Sequence, residues 1–397
     1  MESTKYQVLA LTLIFVAGAF TGCVDDEEED TRTLVKIGFL NPITGPLEPD
    51  APGFTWGATE AIADLTAKYS DYKFELVEMD SGCDGPVAAA SAQTLVDSGV
   101  VAVVGAACSG ASMGANAVLS AAGIPMISYA STNPGLSDAT AYPLFFRNVP
   151  SDAIQGPAGA DMMADAGVTN GSLAILHMTN DYGSGLADSI KSAWENDTAG
   201  NTLCGAGMQG YVDTTTDFTS LAESISGDST CTAVYLSSYI TDAAGIMDAL
   251  EDKNWTGKIF AGDGPAGIGL YEKMADNATA ANLTVSAPRA GVTAGDFEAR
   301  YDAKASEIGS IKTYVLTTYD ATMMIGEAAT MTGAINDNIK SVGTNYGGAS
   351  GVINFLANGD IGGNGYDICT YSGDPSDANG GYDCAKYWTA EDGVKSS

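Results

Sequence analysis

From Leu34 onward the sequence alternates short β-rich runs with amphipathic or small-residue helical stretches, and this alternation restricts the fold more than any other feature. Leu34 to Leu40, Phe74 to Met79, Val100 to Val104 and Pro125 to Ser128 read as strands, with helices at Phe54 to Tyr69, Val87 to Asp97 and Met113 to Ala122. A second series opens after Asn148. It runs Ile154 to Asp165 (helix), Leu173 to His177 (strand), Leu186 to Trp194 (helix), Gly210 to Val212 (strand) and Phe218 to Ile225 (helix). Val234 to Leu236 (strand), Ala243 to Leu250 (helix) and Lys258 to Ala261 (strand) complete it. Strands alternating with helices at this spacing require parallel sheets covered on both faces, an α/β architecture. The length suits two such units, with no tandem repeat and no long low-complexity linker.

Ahead of the first strand, Met1 to Lys5 carries a positive charge, Val8 to Phe20 is apolar, and Thr21-Gly22 places small residues before Cys23. The apolar run is too short to span a bilayer, so 1–22 is predicted to be a lipoprotein signal peptide and Cys23 its lipid-attachment site. Asp25 to Asp30 is wholly acidic and repels itself, which makes 23–33 an extended stalk. The expected location is extracytoplasmic, on the outer face of the cell membrane, held by lipid alone. A simple secretory signal with an incidental cysteine is the alternative.

The other cysteines fit an oxidising compartment. Cys83, Cys108, Cys204, Cys231, Cys369 and Cys384 are even in number, and although six allow fifteen pairings, sequence neighbours suggest Cys83 to Cys108, Cys204 to Cys231 and Cys369 to Cys384. None has the two-residue spacing of a zinc or thioredoxin motif, so neither a metal site nor redox catalysis is expected. The net charge is -33, and discounting the six acids of the stalk leaves the folded part near -27. Such a surface repels nucleic acid and anionic headgroups and suits salty surroundings. Asn170, Asn196, Asn254, Asn277 and Asn282 begin Asn-x-Ser/Thr triplets compatible with external glycosylation.

In parallel sheets, ligands bind in the crevice outside the carboxyl ends of the strands. Gly105 to Gly110 follows the third predicted strand as a small-residue turn leading into a helix, where backbone N–H groups can approach an anion. Tyr129 to Pro134 follows the fourth and is rich in hydroxyls; Gly262-Asp263-Gly264 follows Ala261 and offers one carboxylate between glycines. Together these supply neutral donors for a carboxylate and an anion for an ammonium, the two ends of an amino acid. Taken singly, each is an ordinary turn or helix cap.

The order of several further segments resembles the type I periplasmic binding proteins of the leucine/isoleucine/valine-binding group, the solute receptors of amino-acid ABC transporters. The matching pieces are Lys36 to Pro46, Cys83, Gly105 to Ser109, Ser128 to Pro134, Phe146 to Asn148, Gln155 to Pro157 and Asp181 to Gly183. Thr216 to Phe218, Leu316 to Ala321 and Gly351 to Phe355 continue the series. The resemblance implies two Rossmann-like lobes joined by a three-crossing hinge. Lobe 1 would take 34–149 and 288–345, lobe 2 would take 150–287 and 346–387, and 388–397 would be a C-terminal tail. By the same resemblance Ser109, Ala130 and Thr132 would bind the ligand carboxylate, Asp263 the α-ammonium, and Tyr182 and Tyr239 would wall the cleft. Cys83 and Cys108 match a disulfide of that group.

Two departures bear on the ligand. Members that prefer branched aliphatic amino acids commonly carry a glutamate where Asp263 stands, and the loop Leu47 to Gly53 lacks the aromatic often found there and carries Glu48 and Asp50 instead. Near the cleft, those acids would favour a polar or basic ligand. The pairs Cys204/Cys231 and Cys369/Cys384 look like additions to the group's pattern.

Catalytic motifs are missing from the sequence. His177, the only histidine, has no partnering base or nucleophile by motif, and no Gly-x-Ser-x-Gly elbow or P-loop occurs. Asp374 to Asp383 resembles a calcium loop but lacks the terminal glutamate and helical flanks, so a disulfide-pinned polar hairpin is expected, with no metal and no cofactor. The leading expectation is a lipid-anchored receptor, not an enzyme, that binds an amino acid, branched-chain or related, and delivers it to an ABC permease with its ATPase subunits. The alternatives are a receptor feeding a chemotaxis or sensory transducer, and a secreted enzyme.

Overall fold

The computed structural model describes residues 30–196, 200–267, 269–308, 311–377 and 381–397. The expected signal peptide, Cys23 and most of the acidic stalk lie outside the described residues, as do 378–380 of the hairpin loop. Among the described residues, no helix is long and apolar enough to cross a membrane.

The chain begins with β1 (Thr33–Asn41), α1 (Ala51–Lys68), β2 (Tyr72–Asp80), α2 (Gly85–Asp97), β3 (Ala102–Val104), α3 (Ser109–Ala121), β4 (Met126–Ser128) and β5 (Phe145–Arg147). Among the described residues these strands form a five-stranded sheet in the order β2-β1-β3-β4-β5, every pair parallel. Parallel neighbours need crossovers, which is why a helix follows each of the first three strands. Ile37, Phe39 and Leu40 of β1 are all fully buried, the mark of a central strand covered on both faces.

Next come α4 (Asp152–Asp165), β6 (Leu173–Met178), α5 (Asp181–Asn196), β7 (Leu203–Tyr211), α6 (Thr219–Ser226) and β8 (Ala233–Ser237). They are followed by α7 (Ile240–Asp252), β9 (Lys258–Ala261), α8 (Gly269–Lys273) and β10 (Leu283–Pro288). These strands form a second parallel array in the order β10-β9-β8-β6-β7. The chain then returns to the first sheet through α9 (Phe297–Asp302), α10 (Ala305–Ile308), α11 (Lys312–Thr330) and α12 (Ile335–Val342). α11 lies against α1 so closely that a Cβ on Gly57 would sit 2.9 Å from the Val315 carbonyl oxygen. A small hairpin of β11 (Tyr346–Gly348) and β12 (Gly351–Ile353) follows, and β13 (Tyr366–Tyr371), β14 (Tyr382–Thr389) and β15 (Gly393–Ser396) end the chain.

Three details differ from the sequence expectation. First, β7 covers nine residues where only Gly210 to Val212 was expected; three glycines lower its β-propensity, and it survives as an edge strand paired to β6 alone. Second, 346–361 stays with the first lobe. The N–H groups of Ala349 and Ser350 donate to Asp320 of α11, Phe355 packs 5.0 Å from Phe146, and Asp360 pairs with Arg147 of β5. The last crossing therefore lies between Ile361, which bridges Pro150, and Tyr366, rather than at 345.

Third, 388–397 is no tail: β14 and β15 extend the second sheet from β10 through β13, all antiparallel. Trp388 explains why. Its ring is buried against α4, with Nε1 donating to Asp161 at 2.7 Å, so the stretch has an apolar anchor that a free tail lacks.

The three disulfides pair as sequence neighbours suggest, with Cα atoms 5.1 Å apart for Cys83–Cys108, 5.3 Å for Cys204–Cys231 and 4.0 Å for Cys369–Cys384. The last joins β13 to β14 where their register shifts, between Ile368 and Thr370.

Candidate functional site

The carboxyl edges of the two sheets face each other. From the first sheet, the chain leaves β3 through Gly105, whose φ of 112° brings the backbone against β1; a Cβ there would lie 2.5 Å from the Leu40 carbonyl oxygen. This turn delivers Ser109 to the first position of α3, so the unpaired N–H groups of the first helical turn and the serine hydroxyl share one place. Cys108, bonded to Cys83, immediately precedes it. The loop after β4 is laced to the turn: Ser128 donates to the Ala106 carbonyl at 2.6 Å, Ser131 to that of Ala107 at 3.0 Å, and the N–H of Asn133 to Ser109 Oγ at 3.2 Å.

From the second sheet come Tyr182 in the first turn of α5, Tyr239 capping α7 and Asp263 after β9. The two rings stack with centroids 5.0 Å apart. Tyr182 donates its hydroxyl to Asp263 Oδ1 at 3.2 Å and accepts from the N–H of Gly264 at 3.0 Å. Tyr314, from α11 of the opposite lobe, donates to Asp263 Oδ2. The lobes also meet where Asn133 donates to the Asp181 carbonyl, and where a Cβ on Gly110 would lie 2.6 Å from Asp181 Oδ2.

Of the expected ligand-binding residues, Ser109, Ala130, Tyr182, Tyr239 and Asp263 line one enclosed cavity. Thr132 is not among its lining residues. It is fully buried one layer back, donating its hydroxyl to Asp152 Oδ2 at 3.0 Å, while its carbonyl accepts the N–H of Asp152 at 2.8 Å. The cavity encloses about 20 Å³. Leu47, Phe54, Ile311, Tyr314 and Asp50 also line it, with Ala107 and Gly264; Glu48, the other acid of the loop before α1, is exposed.

Among the described residues, the cavity wall holds acids and no base. Burial pushes the Asp263 carboxyl upward, and hydrogen bonds from Tyr314, its own N–H, Gln155 and Tyr182 hold it down. Asp152 is raised well above the usual carboxylate range by burial and by the neighbouring Asp263 charge, against one hydroxyl bond from Thr132 and the more distant pull of Arg147. Its Oδ1 has no hydrogen-bond partner among the described residues. Both carboxyls are raised, Asp152 further than Asp263 because it lacks the donors that Asp263 has. Burial also raises Asp50 to about 6, opposed by the N–H of Ile311.

Arg147 stands behind the loop and is committed elsewhere. It is fully buried, its Nε lies 2.6 Å from Asp360 Oδ1, and its other nitrogens donate to the carbonyls of Ser131 and Asn133 and to Ser137 Oγ. Asp152 and Tyr314 were not singled out from sequence; the only available signals were an acid one residue after the Ser151 cap, and a tyrosine two residues before Leu316. His177 is half-buried on β6 with Nδ1 2.9 Å from the Met178 carbonyl, away from the cavity lining. Among the described residues, Cys204, Asp228 and Cys231 gather at metal-ligand distance, yet the two sulfurs are bonded to each other and cannot act as thiolates.

A sequence profile of the periplasmic binding proteins matches residues 34–368. The Leu/Ile/Val-binding protein of Escherichia coli K12 is 31% identical over 167 residues, 42% of this chain and 45% of that protein. A leucine-, isoleucine-, valine-, threonine- and alanine-binding protein of Pseudomonas aeruginosa is 30% identical over 189 residues, 47% of this chain and 49% of that one. The chain therefore aligns with about half the length of these curated relatives. Among solved structures, the leucine-binding protein LivK of Thermotoga maritima superposes with a TM-score of 0.78 at 22% identity, covering 90% of this chain and 99% of that one. LivJ of Streptococcus pneumoniae, solved with isoleucine, superposes at 0.74 and 23% identity over 86% of this chain and 97% of its own.

Proposed function

This chain belongs to the periplasmic binding protein family, and from that premise we propose that it is an extracytoplasmic receptor that binds an amino acid between its lobes and delivers it to an ABC permease. The role is binding rather than catalysis. The observation that carries the reading is Asp263, buried between Tyr182 of its own lobe and Tyr314 of the other, in one cavity with Ser109 at the start of α3. A carboxylate for an ammonium and helix-end donors for a carboxylate suit the α-carbon end of any amino acid. The names of the relatives make branched aliphatic amino acids the first class to test.

Closure follows from the same geometry. About 20 Å³ holds little more than a water, for which about 10–15 Å³ suffices, so an amino acid enters only when the lobes part and it takes over contacts that the tyrosines make to Asp263. Binding then favours the closed form only through contacts to both lobes. Small-angle scattering with a saturating amino acid should show a smaller radius of gyration than without it. Tyr182→Ala should weaken binding and raise the open fraction of the liganded protein, whereas Ser109→Ala should mainly cost carboxylate affinity. A tight ligand that leaves the scattering curve unchanged would remove closure as the working step.

Anchoring through a lipidated Cys23 is the other half of the proposal, supported by the apolar run before that residue and the acidic run after it. Cys23→Ser should release the protein from membranes or leave its precursor uncleaved. An unmodified thiol at position 23 in mature native protein, read by mass spectrometry, would reject the anchor and leave the binding role untouched.

A further inference from the structure

The Asn-x-Ser/Thr triplets all fall at one end of one lobe. Of the 18 asparagines in the chain, 7 lie within 150–287, and 5 of these begin such a triplet: Asn170, Asn196, Asn254, Asn277 and Asn282. None of the other 11 does. The strands of the second parallel array start in register, with Leu173 beside Leu203 and Ala233, Ala233 beside Lys258, and Ile259 beside Leu283. Asn170, Asn254, Asn277 and Asn282 stand just ahead of these strand starts, and Asn196 ends α5, which runs back to the same edge. Tyr182, Tyr239 and Asp263 follow the opposite ends of the strands. The five residues of β8, at about 3.3 Å each, put roughly 16 Å of sheet between the triplets and the ligand cavity.

Exposure separates the five. An N-linked sugar is bulky and polar, and the transferase that adds it must seize surface chain, the hydroxyl of the third residue included. Thr279 is buried with its hydroxyl donating to Glu251, and Ser172 is buried with its hydroxyl donating to the Thr169 carbonyl at 2.7 Å. Thr284 is paired on both sides within the sheet, to β9 and to β13. Thr198, which completes the Asn196 triplet, lies outside the described residues. Asn254 and Thr256 are both exposed, on the loop between α7 and β9.

Asn254 has a local duty too. With φ of 55° it ends α7 in the left-handed region, its N–H donating to the Glu251 carbonyl at 2.7 Å. A glycine would serve that turn equally, and the turn does not call for a threonine two positions on. Beside it, residues 255–258 help to line a surface groove of about 460 Å³. Half-buried Trp255, held by its Nε1 bond to the Cys231 carbonyl at 3.1 Å, gives the groove an apolar face, and Ser229, Thr232 and Lys258 add polar groups. That combination gives the first sugars of a chain on Asn254 a place to lie.

We infer that Asn254 carries an N-linked oligosaccharide, which caps the end of the second lobe opposite the ligand cavity. The donor is a lipid-linked oligosaccharide. Asn254 Nδ2 forms a bond to the sugar C1, the C1–O bond to the lipid phosphate breaks, the phosphate leaves with the lipid, and the amide proton passes to a base of the transferase. The inference rests on the extracytoplasmic location and is independent of the ligand.

The test is glycopeptide mass spectrometry on the wild type, Asn254→Gly and Thr256→Ala, each produced in the protein's own source organism. The expected result is sugar mass on the Asn254 peptide of the wild type and none at that position in either variant. Asn254→Gly keeps the left-handed turn without the amide, and Thr256→Ala keeps both and removes only the hydroxyl. The same spectra read the mature N-terminus and so report export. An exported wild-type chain with a bare Asn254 overturns the inference, whatever the other four triplets carry, and leaves the receptor reading intact. Sugar that persists on Asn254 in Thr256→Ala overturns it as well. A chain that is never exported overturns both the glycan and the extracytoplasmic location.

Discussion

Asp263→Asn is expected to weaken amino-acid binding by at least about 2 kcal/mol, roughly thirtyfold, because the ligand ammonium would then be buried without its counter-charge. The fold should withstand the change: the asparagine carbonyl can accept from one of Tyr182 and Tyr314, and a buried charge has been removed. The loss is bounded from above by Asp152. With the Asp263 charge gone, the repulsion that raises Asp152 also goes, and an ionised Asp152 is expected to replace it in part. Asp152→Asn alone should therefore cost little, and the double variant more than the sum of the two. Calorimetry on the three proteins measures this directly, and an unchanged affinity in Asp263→Asn would take that residue out of the site.

The second large effect is on stability. Asp360→Ala should destabilise the first lobe by about 3–5 kcal/mol, since it leaves the fully buried Arg147 guanidinium without its carboxylate. Asp360 also accepts from Ser137 and Asn358, so its removal strips three donors at once. The denaturant midpoint of the variant, followed by circular dichroism, gives the loss. Adding Arg147→Met should recover part of it, because the uncompensated charge is then absent as well. A loss below about 1 kcal/mol would mean that water reaches Arg147 and screens it.

Most strands of the two parallel arrays were legible, though β5 and β10 were not, because they are short apolar runs set off by turn residues, and the helices between them carry a recognisable face. α11 was not. Tyr314, Val315, Leu316, Thr317 and Thr318 are buried in succession, so the helix has no polar side to reveal its period. Its threonines, which alone would suggest a strand, bond back along the helix instead: Thr318 donates to the Tyr314 carbonyl at 2.6 Å and Thr322 to that of Thr318 at 2.8 Å. The terminal strands β13 to β15 escaped because antiparallel pairing is set by partners, and Trp388 finds its partner, Asp161, 227 positions away.

The site divided along the same line. Ala130 and Asp263 sit in loops directly after strands and Ser109 opens the helix after one, where a run of small or polar residues at a sheet's carboxyl edge is visible without coordinates. Tyr314 and Asp152 reach the same region from a returning helix and from a crossing between lobes, and only the meeting of the lobes brings them there. Asp50 was visible as an acid in an unusual loop, but sequence could not separate it from Glu48. Burial does, turning one inward and the other out to solvent.

The disulfides have a mechanical meaning. Cys83–Cys108 closes a loop of the first lobe, while Cys204–Cys231 and Cys369–Cys384 lie within the second, so among the described residues every covalent staple falls inside one jaw. A bridge across the cleft would act as a strut and fix the angle between the jaws. Placed as they are, the staples stiffen two levers and leave the pivot free of any covalent bridge among the described residues, so under the proposed closure the work done by ligand contacts would go into rotating the lobes instead of deforming them.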